Sequence, residues 1–390
     1  MRLLPGAEYF RVTELPAYEP EGAGEHLWLL VEKEQLNTDD VIDALARAAR
    51  RPRRDVGYAG RKDRNAVARQ WFSVRLGDEK SLAELKAPGG RLEVVSVSRH
   101  RNKLRLGHLQ GNRFRLGLGD VEPAGRTALC ESLERLAHAG LENRFGAQRF
   151  GSGELNLALA RAWAAGDLAR TAALCVDSGG AWRAGEPLPS EYRPGLFGRV
   201  VGALRRAPED PAGALRAAGP SFRKLVASAA QSAVFNAVLE ARRATGLTHA
   251  LRAGDVARRR GGGLFRCTAA DAADASRRAA PGLLEVLATG PLPGPDMYAP
   301  SAEVTREERA WSAATGFDWE AFAGESPLAS PGDRRELVVP FLEPPRLDEP
   351  EPAGVTWLEF ALPPGSFATE LLDQCGVAGR SPTRPMMRDT

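Results

Sequence analysis

The sequence predicts an α+β protein in which a mixed sheet with flanking helices is interrupted by a mainly helical insertion. Three features predict it. Strand-like and helix-like patterns alternate up to about residue 155. Ala-rich helical patterns then dominate to about residue 245, as in LNLALARAWAAG and SFRKLVASAAQSAVFNAVLEARRATG. Near the end, VTWLEFALPPGSFATELLDQC reads as a strand, a turn and a helix. The expected division is residues 1–155 for the first part of a mixed domain, 156–338 for the insertion and 339–390 for a return to the mixed domain. At 390 residues the chain has ample material for two or three cores.

The elements follow in order. EHLWLLVEK (25–33) reads as a strand. TDDVIDALARAAR (38–50) reads as a helix: Thr38 or Asp39 can cap it, early acids suit its N-terminal dipole, and Val41, Ile42, Leu45 and Ala49 share one face. DVGYAG (55–60) looks like a short strand and QWFSVRL (70–76) like a longer one, which places Asp63 in or beside the loop between them. RLEVVSVSRH and NRFRLGLGDV are further strands, and ALCESLERLAHAG is an amphipathic helix closed by Gly140. In RRRGGGLF (258–265), three glycines after three arginines read as a flexible turn rather than a phosphate loop.

Composition excludes several classes. The apolar fraction of 43% and charged fraction of 26% are those of a globular protein. No segment approaches the roughly 18 apolar residues of a membrane helix, and MRLLPGAEYFRVTELP lacks the apolar stretch of a signal peptide. Cys130, Cys175, Cys267 and Cys375 are far apart, which predicts reduced thiols in a cytoplasmic protein. The five histidines have no ligand spacing, so no metal is expected. GxGxxG after a strand, GxxxxGK[ST], HExxH and GxSxG are absent.

The net charge is only +3, but it is unevenly spread. Arg47 to Phe72 holds nine Arg/Lys against two Asp, and RHRNKLRLGHLQGNRFR (99–115) holds six and no acid. A GC-rich genome explains Arg in place of Lys but not the missing acids. Such stripes are the electrostatic footprint of a nucleic-acid site, with Arg61, Arg64, Arg69, Arg101, Lys103, Arg105 and Arg113 as candidate contacts.

Asp63, in GYAGRKDRNAVARQWFSV, is a lone acid among Arg61, Lys62, Arg64 and Arg69. Most such residues are salt-bridged surface acids. Alternatively, the cations keep it ionised as a nucleophile or base. In an extended backbone Lys62 points away from it, so its partner is expected from another segment. A second cluster, ENRFGAQRFG (142–151), interleaves Phe145 and Phe150 with Asn143, Arg144, Gln148 and Arg149. Rings among cations and amides suit an unpaired base. Phe150 is expected in the core. Phe145, with polar neighbours and a glycine beside it, is expected outside it.

Together these clusters closely resemble the TruD family of tRNA pseudouridine synthases, whose segment G-[FY]-A-G-x-K-D-[RK]-H-A-V-T-x-Q-W-F matches residues 57–72. GEHLWLLVEK, RNKLRLGHLQGNRF, NRFGAQRFG, SAAQSAVFN and LPPGSFATELL match in the same order, over nearly the whole chain. The resemblance implies a pseudouridine-synthase-like mixed sheet interrupted by a TRUD-type insertion. It also implies conversion of uridine to pseudouridine, usually at position 13 in the D-stem of tRNA, without a cofactor or an evident protein partner. By position Asp63 is the catalytic aspartate and Phe145 the aromatic beside the target base, with Asn143 in the same motif and Lys62 adjoining Asp63. The family histidine is Asn65 here and its threonine is Ala68. The N-terminal K-x-x-P-E-D-F pattern is matched only loosely by RLLPGAEYF, which makes Arg2 the candidate cation for Asp63. A non-catalytic RNA-binding protein would explain the stripes equally well but leaves Asp63 without a purpose. A hydrolytic nucleoside enzyme lacks an evident second carboxylate.

Overall fold

The computed structural model describes residues 1–75, 82, 85–188, 197–351 and 354–378; Leu76 of the expected 70–76 strand and residues 379–390 of the final segment lie outside them. The chain divides into two compact units, Met1–Leu141 with Val339–Thr390, and Glu142–Val338.

The first unit is built on a mixed sheet. Its strands include β1 (Arg2–Leu3), β2 (Phe10–Pro16), β3 (His26–Glu34), β4 (Gly57–Tyr58), β5 (Val67–Arg75), β6 (Arg91–His100) and β7 (Leu109–Gly119). Two more, Glu343–Leu347 and Thr356–Leu362, come from the far end of the chain. The order runs Glu343–Leu347, Thr356–Leu362, β7, β2, β5, β3, β6, with β1 added to β7 and β4 to β5. Among the pairings of these strands only β2 with β5 is parallel, with Arg11 opposite Val67 and Thr13 opposite Arg69; the others are antiparallel, and an isolated parallel bridge joins Arg2 to Ala378.

Two large apolar clusters, and a smaller one of Trp28, Ala59, Trp71 and Leu104, hold this unit. Leu27, Leu29 and Val31 of β3, with Phe72 and Val74 of β5, pack on Val41, Ile42 and Leu45 of helix α1 (Thr38–Ala48). Leu116 and Leu118 of β7, with Leu358, Phe360 and Leu362, pack on Leu129 and Leu133 of helix α2 (Pro123–Ala139) and on Leu371 and Leu372 of the Ala368–Gln374 helix. Each fully buried Leu, Ile or Val contributes roughly 1.5–3 kcal/mol. Helix α2 begins five residues before the expected ALCESL, because Pro123 supplies the fixed φ of a first turn. The N-cap of α1 is Asn37, not Thr38 or Asp39: its backbone N–H donates to Asp40 Oδ2 at 2.7 Å. Thr38 is buried and its hydroxyl is engaged elsewhere. The 10–16 strand was not evident in FRVTELP, where Glu14 interrupts the apolar phase.

The second unit is helical up to the long Gly219–Ala244 helix, whose Phe222, Val226 and Val234 pack with Leu155, Leu159 and Trp163. It then builds a four-stranded antiparallel sheet in the order Leu264–Arg266, Val256–Arg259, Val286–Leu292, Asp333–Glu336. RRRGGG makes the hairpin turn between the first two of these in chain order, with Gly261 at φ +69°. A helical reading missed this sheet because its strands are short and rich in Gly, Pro and Arg. Gly290 allows a close approach there: a Cβ would lie 3.0 Å from the Phe235 ring of the long helix, which would have to shift to admit it. Two nearly inaccessible ion pairs, Arg334–Glu308 at 2.7 Å and Arg242–Asp255 at 3.0 Å, brace this unit. No helix among the described residues is long and apolar enough to cross a membrane.

Candidate active site

Asp63 lies in the segment that joins β4 to β5, and almost every residue around it is tied down. Gln70 Nε2 donates to Gly60 O at 2.5 Å, and Arg61 pairs with Asp39 at 2.6 Å. The Lys62 N–H donates to Thr38 Oγ1 at 3.0 Å, and the Thr38 hydroxyl donates in turn to Gln70 Oε1 at 3.2 Å. Arg64 Nε donates to Gln35 O at 2.9 Å.

Lys62 points away from Asp63, as alternation requires, into a buried ion pair with Glu14 at 2.5 Å; the two side chains are 5% and 1% exposed. Parallel pairing of β2 with β5 stops at Thr13 and Arg69, and the other Glu14 oxygen accepts the next strand N–H, that of Trp71, at 3.3 Å. Burial pushes the Glu14 carboxyl up, with the Lys62 ammonium opposing it. Lys62, expected in the active site by its place beside Asp63, is thus occupied inside the protein and anchors the loop.

The cation beside Asp63 is one the sequence reading overlooked. Lys33, at the end of β3, is wholly inaccessible. Its Nζ donates to Leu36 O at 2.7 Å, Asp63 O at 2.7 Å and Lys62 O at 3.4 Å. Burial lowers its pKa from 10.5 to about 8, while the Asp63 carboxylate is the strongest force holding the proton on. Arg2 does not serve: its Nε pairs with Asp120 Oδ2 at 2.7 Å, because β1 is pinned beside the end of β7. A signal for Lys33 existed, since it falls in phase with Leu27, Leu29 and Val31, where a charge is out of place. Glu14, in phase with Val12, carries the same signal.

Within this clamped loop the Asp63 carboxylate is exposed and makes no hydrogen bond or ion pair among the described residues. The backbone is fixed and the functional group is left open, which is how a reactive side chain is preorganised.

The basic stripes sort by partner. Arg61, Arg69, Arg101 and Arg113 are each paired with an acid, Asp39, Glu32, Glu21 and Glu343 respectively. Arg64 and Lys103 are bound only to backbone carbonyls, those of Gln35 and Arg54. Arg105 has no side-chain partner among the described residues. Cationic charge is thus left uncompensated at Arg64, Lys103 and Arg105.

In the second unit, the Asn143–Phe145 segment is equally well fixed. The Asn143 N–H donates to Leu337 O at 2.8 Å and its Nδ2 to Glu336 O at 3.0 Å. The Asn236 side chain spans the Phe145 backbone, accepting from its N–H and donating to its carbonyl, both at 2.9 Å. Arg335 donates to Asn143 O at 3.0 Å and to Asn143 Oδ1, and its guanidinium lies 4.2 Å from the Phe145 ring centroid. Phe145 is 7% exposed and packs edge-on to Phe235, whereas Phe150 is only partly buried. The expected contrast between the two rings is reversed, because the cations near Phe145 pack on its face instead of drawing it into solvent. Arg149 is one of them: its guanidinium donates to Ser228 Oγ at 3.0 Å and lies 5.2 Å from that ring. Among the described residues, no cluster of three or more His, Cys, Asp or Glu is placed to hold a metal ion.

The family described as tRNA pseudouridine synthase D (TruD) matches residues 1–186 and 167–375. The tRNA pseudouridine synthase D of Geobacter metallireducens is 39% identical over 96% of this chain and 94% of its own length. That of Thermus thermophilus is 34% identical over 94% and 85%. The crystal structure of the putative tRNA pseudouridine synthase D from Methanosarcina mazei superposes with a TM-score of 0.71 at 25% identity, covering 97% of this chain and 94% of that one. With a family match over nearly its whole length and the mixed sheet of the solved relative, this chain belongs to the TruD family of tRNA pseudouridine synthases.

Proposed function

We propose that the protein isomerises uridine 13 in the D-stem of tRNA to pseudouridine, with Asp63 as the catalytic carboxylate. The observation that carries this reading is the open Asp63 carboxylate among charged neighbours, Arg61, Lys62 and Arg64, that are each engaged elsewhere. A pure binding surface has no use for an acid there, since it repels phosphates.

Pseudouridine formation breaks the N1–C1′ bond, turns the uracil and joins C5 to C1′. The C5 proton is lost and N1 gains one, so no redox or group-transfer cofactor is needed. An ionised carboxylate can attack C1′, as in retaining glycosidases, or take a proton to begin elimination. The target base must first leave its stack, at a cost of a few kcal/mol. Phosphate contacts from Arg64, Lys103 and Arg105 offset part of that cost and make binding salt-sensitive. Arg61, Arg69, Arg101 and Arg113 contribute only by exchanging an acid for a phosphate. Asn143 and Phe145 are assigned to the uracil. The Arg335 guanidinium on the Phe145 ring occupies the position a stacked base would take, and Arg149 supports that ring.

The test is release of tritium from tRNA labelled at uridine C5, with no cofactor added. Release from the normal transcript and none from one carrying cytidine at position 13 is the expected result. Release that persists after that replacement would move the target to another uridine, and no release from either would reject the activity.

A further inference from the structure

Beside the Asp63 loop, the first unit carries a cleft of about 590 Å³, a size typical of small-ligand sites. One wall is drawn from residues 53–58 with Asp39 and Ile42 of α1, and the other is residues 103–106. The walls are tied together: Lys103 Nζ donates to Arg54 O, the Leu104 N–H to Ser73 Oγ at 2.9 Å and the Gly107 N–H to Ala59 O at 2.8 Å. Gly57 lies on the floor, where a Cβ would come 2.3 Å from Leu104 O. The cleft is therefore built before any ligand arrives.

Its charge is unusual. Arg53 is paired with Asp39 and Asp43, and Asp39 is also held by Arg61, so the acid lining the cleft is already matched. Arg54 and Arg105 are exposed and have no ion pair or side-chain hydrogen bond among the described residues. Lys103 adds a charge that only a carbonyl meets. Next to these, Leu106 is 66% exposed and Tyr58 half-buried. Unmatched guanidiniums beside bare apolar surface fit an anion joined to a flat, partly apolar group, which describes a nucleotide.

We propose that this cleft is a subsite for one nucleotide of the RNA substrate, with its phosphodiester held by Arg54 and Arg105 and its base or sugar resting on Leu106 and Tyr58. The proposal rests on the reading that the substrate is RNA and extends it to residues outside the Asp63 loop.

The test is equilibrium binding of an unmodified tRNA transcript to the full chain across a salt series. Two lost phosphate contacts lower the salt slope by about 1.4–1.8 and raise Kd roughly 20-fold near 150 mM salt. Arg54→Ala with Arg105→Ala should do both. Leu106→Ala should raise Kd a few-fold with the slope unchanged. Arg75→Ala with Arg346→Ala removes the same charge from residues already paired with acids, and should do neither. Wild-type Kd and slope in the Arg54/Arg105 variant would overturn the subsite, as would equal weakening by the control pair. If the wild type modifies tRNA in that case, the cleft alone is rejected; if it neither binds nor modifies tRNA, the functional reading falls with it.

Discussion

Lys33 gives the site a property that can be read by titration. Its ammonium is enclosed, attracted by Asp63 and Asp40 and repelled by Lys62. With a folded pKa of about 8 against an ordinary 10.5, the native protein sheds this proton before the unfolded chain does. The burial penalty on the charged form is therefore present below pH 8 and is relieved as pH rises from 8 towards 10.5. Activity should move the other way. A neutral amine has two N–H groups for three carbonyls and no charge to balance Asp63, so kcat should fall on the alkaline side with an apparent pKa near 8. Lys33→Met should lower kcat more than it changes KM and should lack that alkaline limb. A Lys33→Met enzyme that keeps both the wild-type kcat and the limb would remove Lys33 from the account.

The elements matter because each clamp on the Asp63 loop comes from a different one. Glu14 is on β2, Thr38 on α1, Gln70 on β5 and Lys33 on β3. Glu14→Gln leaves the Lys62 ammonium buried without its counter-charge, and removal of one partner from such a pair costs about 3–5 kcal/mol. Thermal unfolding should show that loss together with reduced turnover, and an unaltered melting temperature would contradict the anchor role. In the second unit, Asn236→Ala strands a buried N–H and carbonyl of Phe145, at about 1–3 kcal/mol. Turnover should fall while tRNA affinity is largely kept, and wild-type turnover would separate Phe145 placement from catalysis.

How much of this was legible follows from the same residues. Period-2 alternation marked β3, β5, β6 and β7, and the lone acid marked Asp63, because those signals are local. Glu14, Lys33 and Asn236 act across separations of 48, 30 and 91 residues, on Lys62, Asp63 and Phe145. Their partners are set by sheet order and helix packing, which no window of sequence contains. Only the odd phase of Glu14 and Lys33 within apolar strands hinted at them. Arg2 was assigned on motif position alone, and the strand pairing of β1 gave it Asp120 instead.

At the scale of the whole molecule, modest net charge hides a division of labour. In the first unit Arg61, Arg69, Arg101 and Arg113 are paired with acids, whereas Arg54, Arg64, Lys103 and Arg105 meet no acid among the described residues. Binding of tRNA should therefore weaken steeply with salt while turnover depends on one carboxylate. The most direct measurement is carbodiimide-adduct primer extension on unmodified tRNA treated with wild type or Asp63→Asn, with the affinity of both proteins for that tRNA determined alongside. The expected result is a single wild-type stop in the D-stem, no stop with Asp63→Asn, activity at least about 100-fold lower and near-equal binding. A stop of similar strength from the Asp63→Asn protein would contradict it.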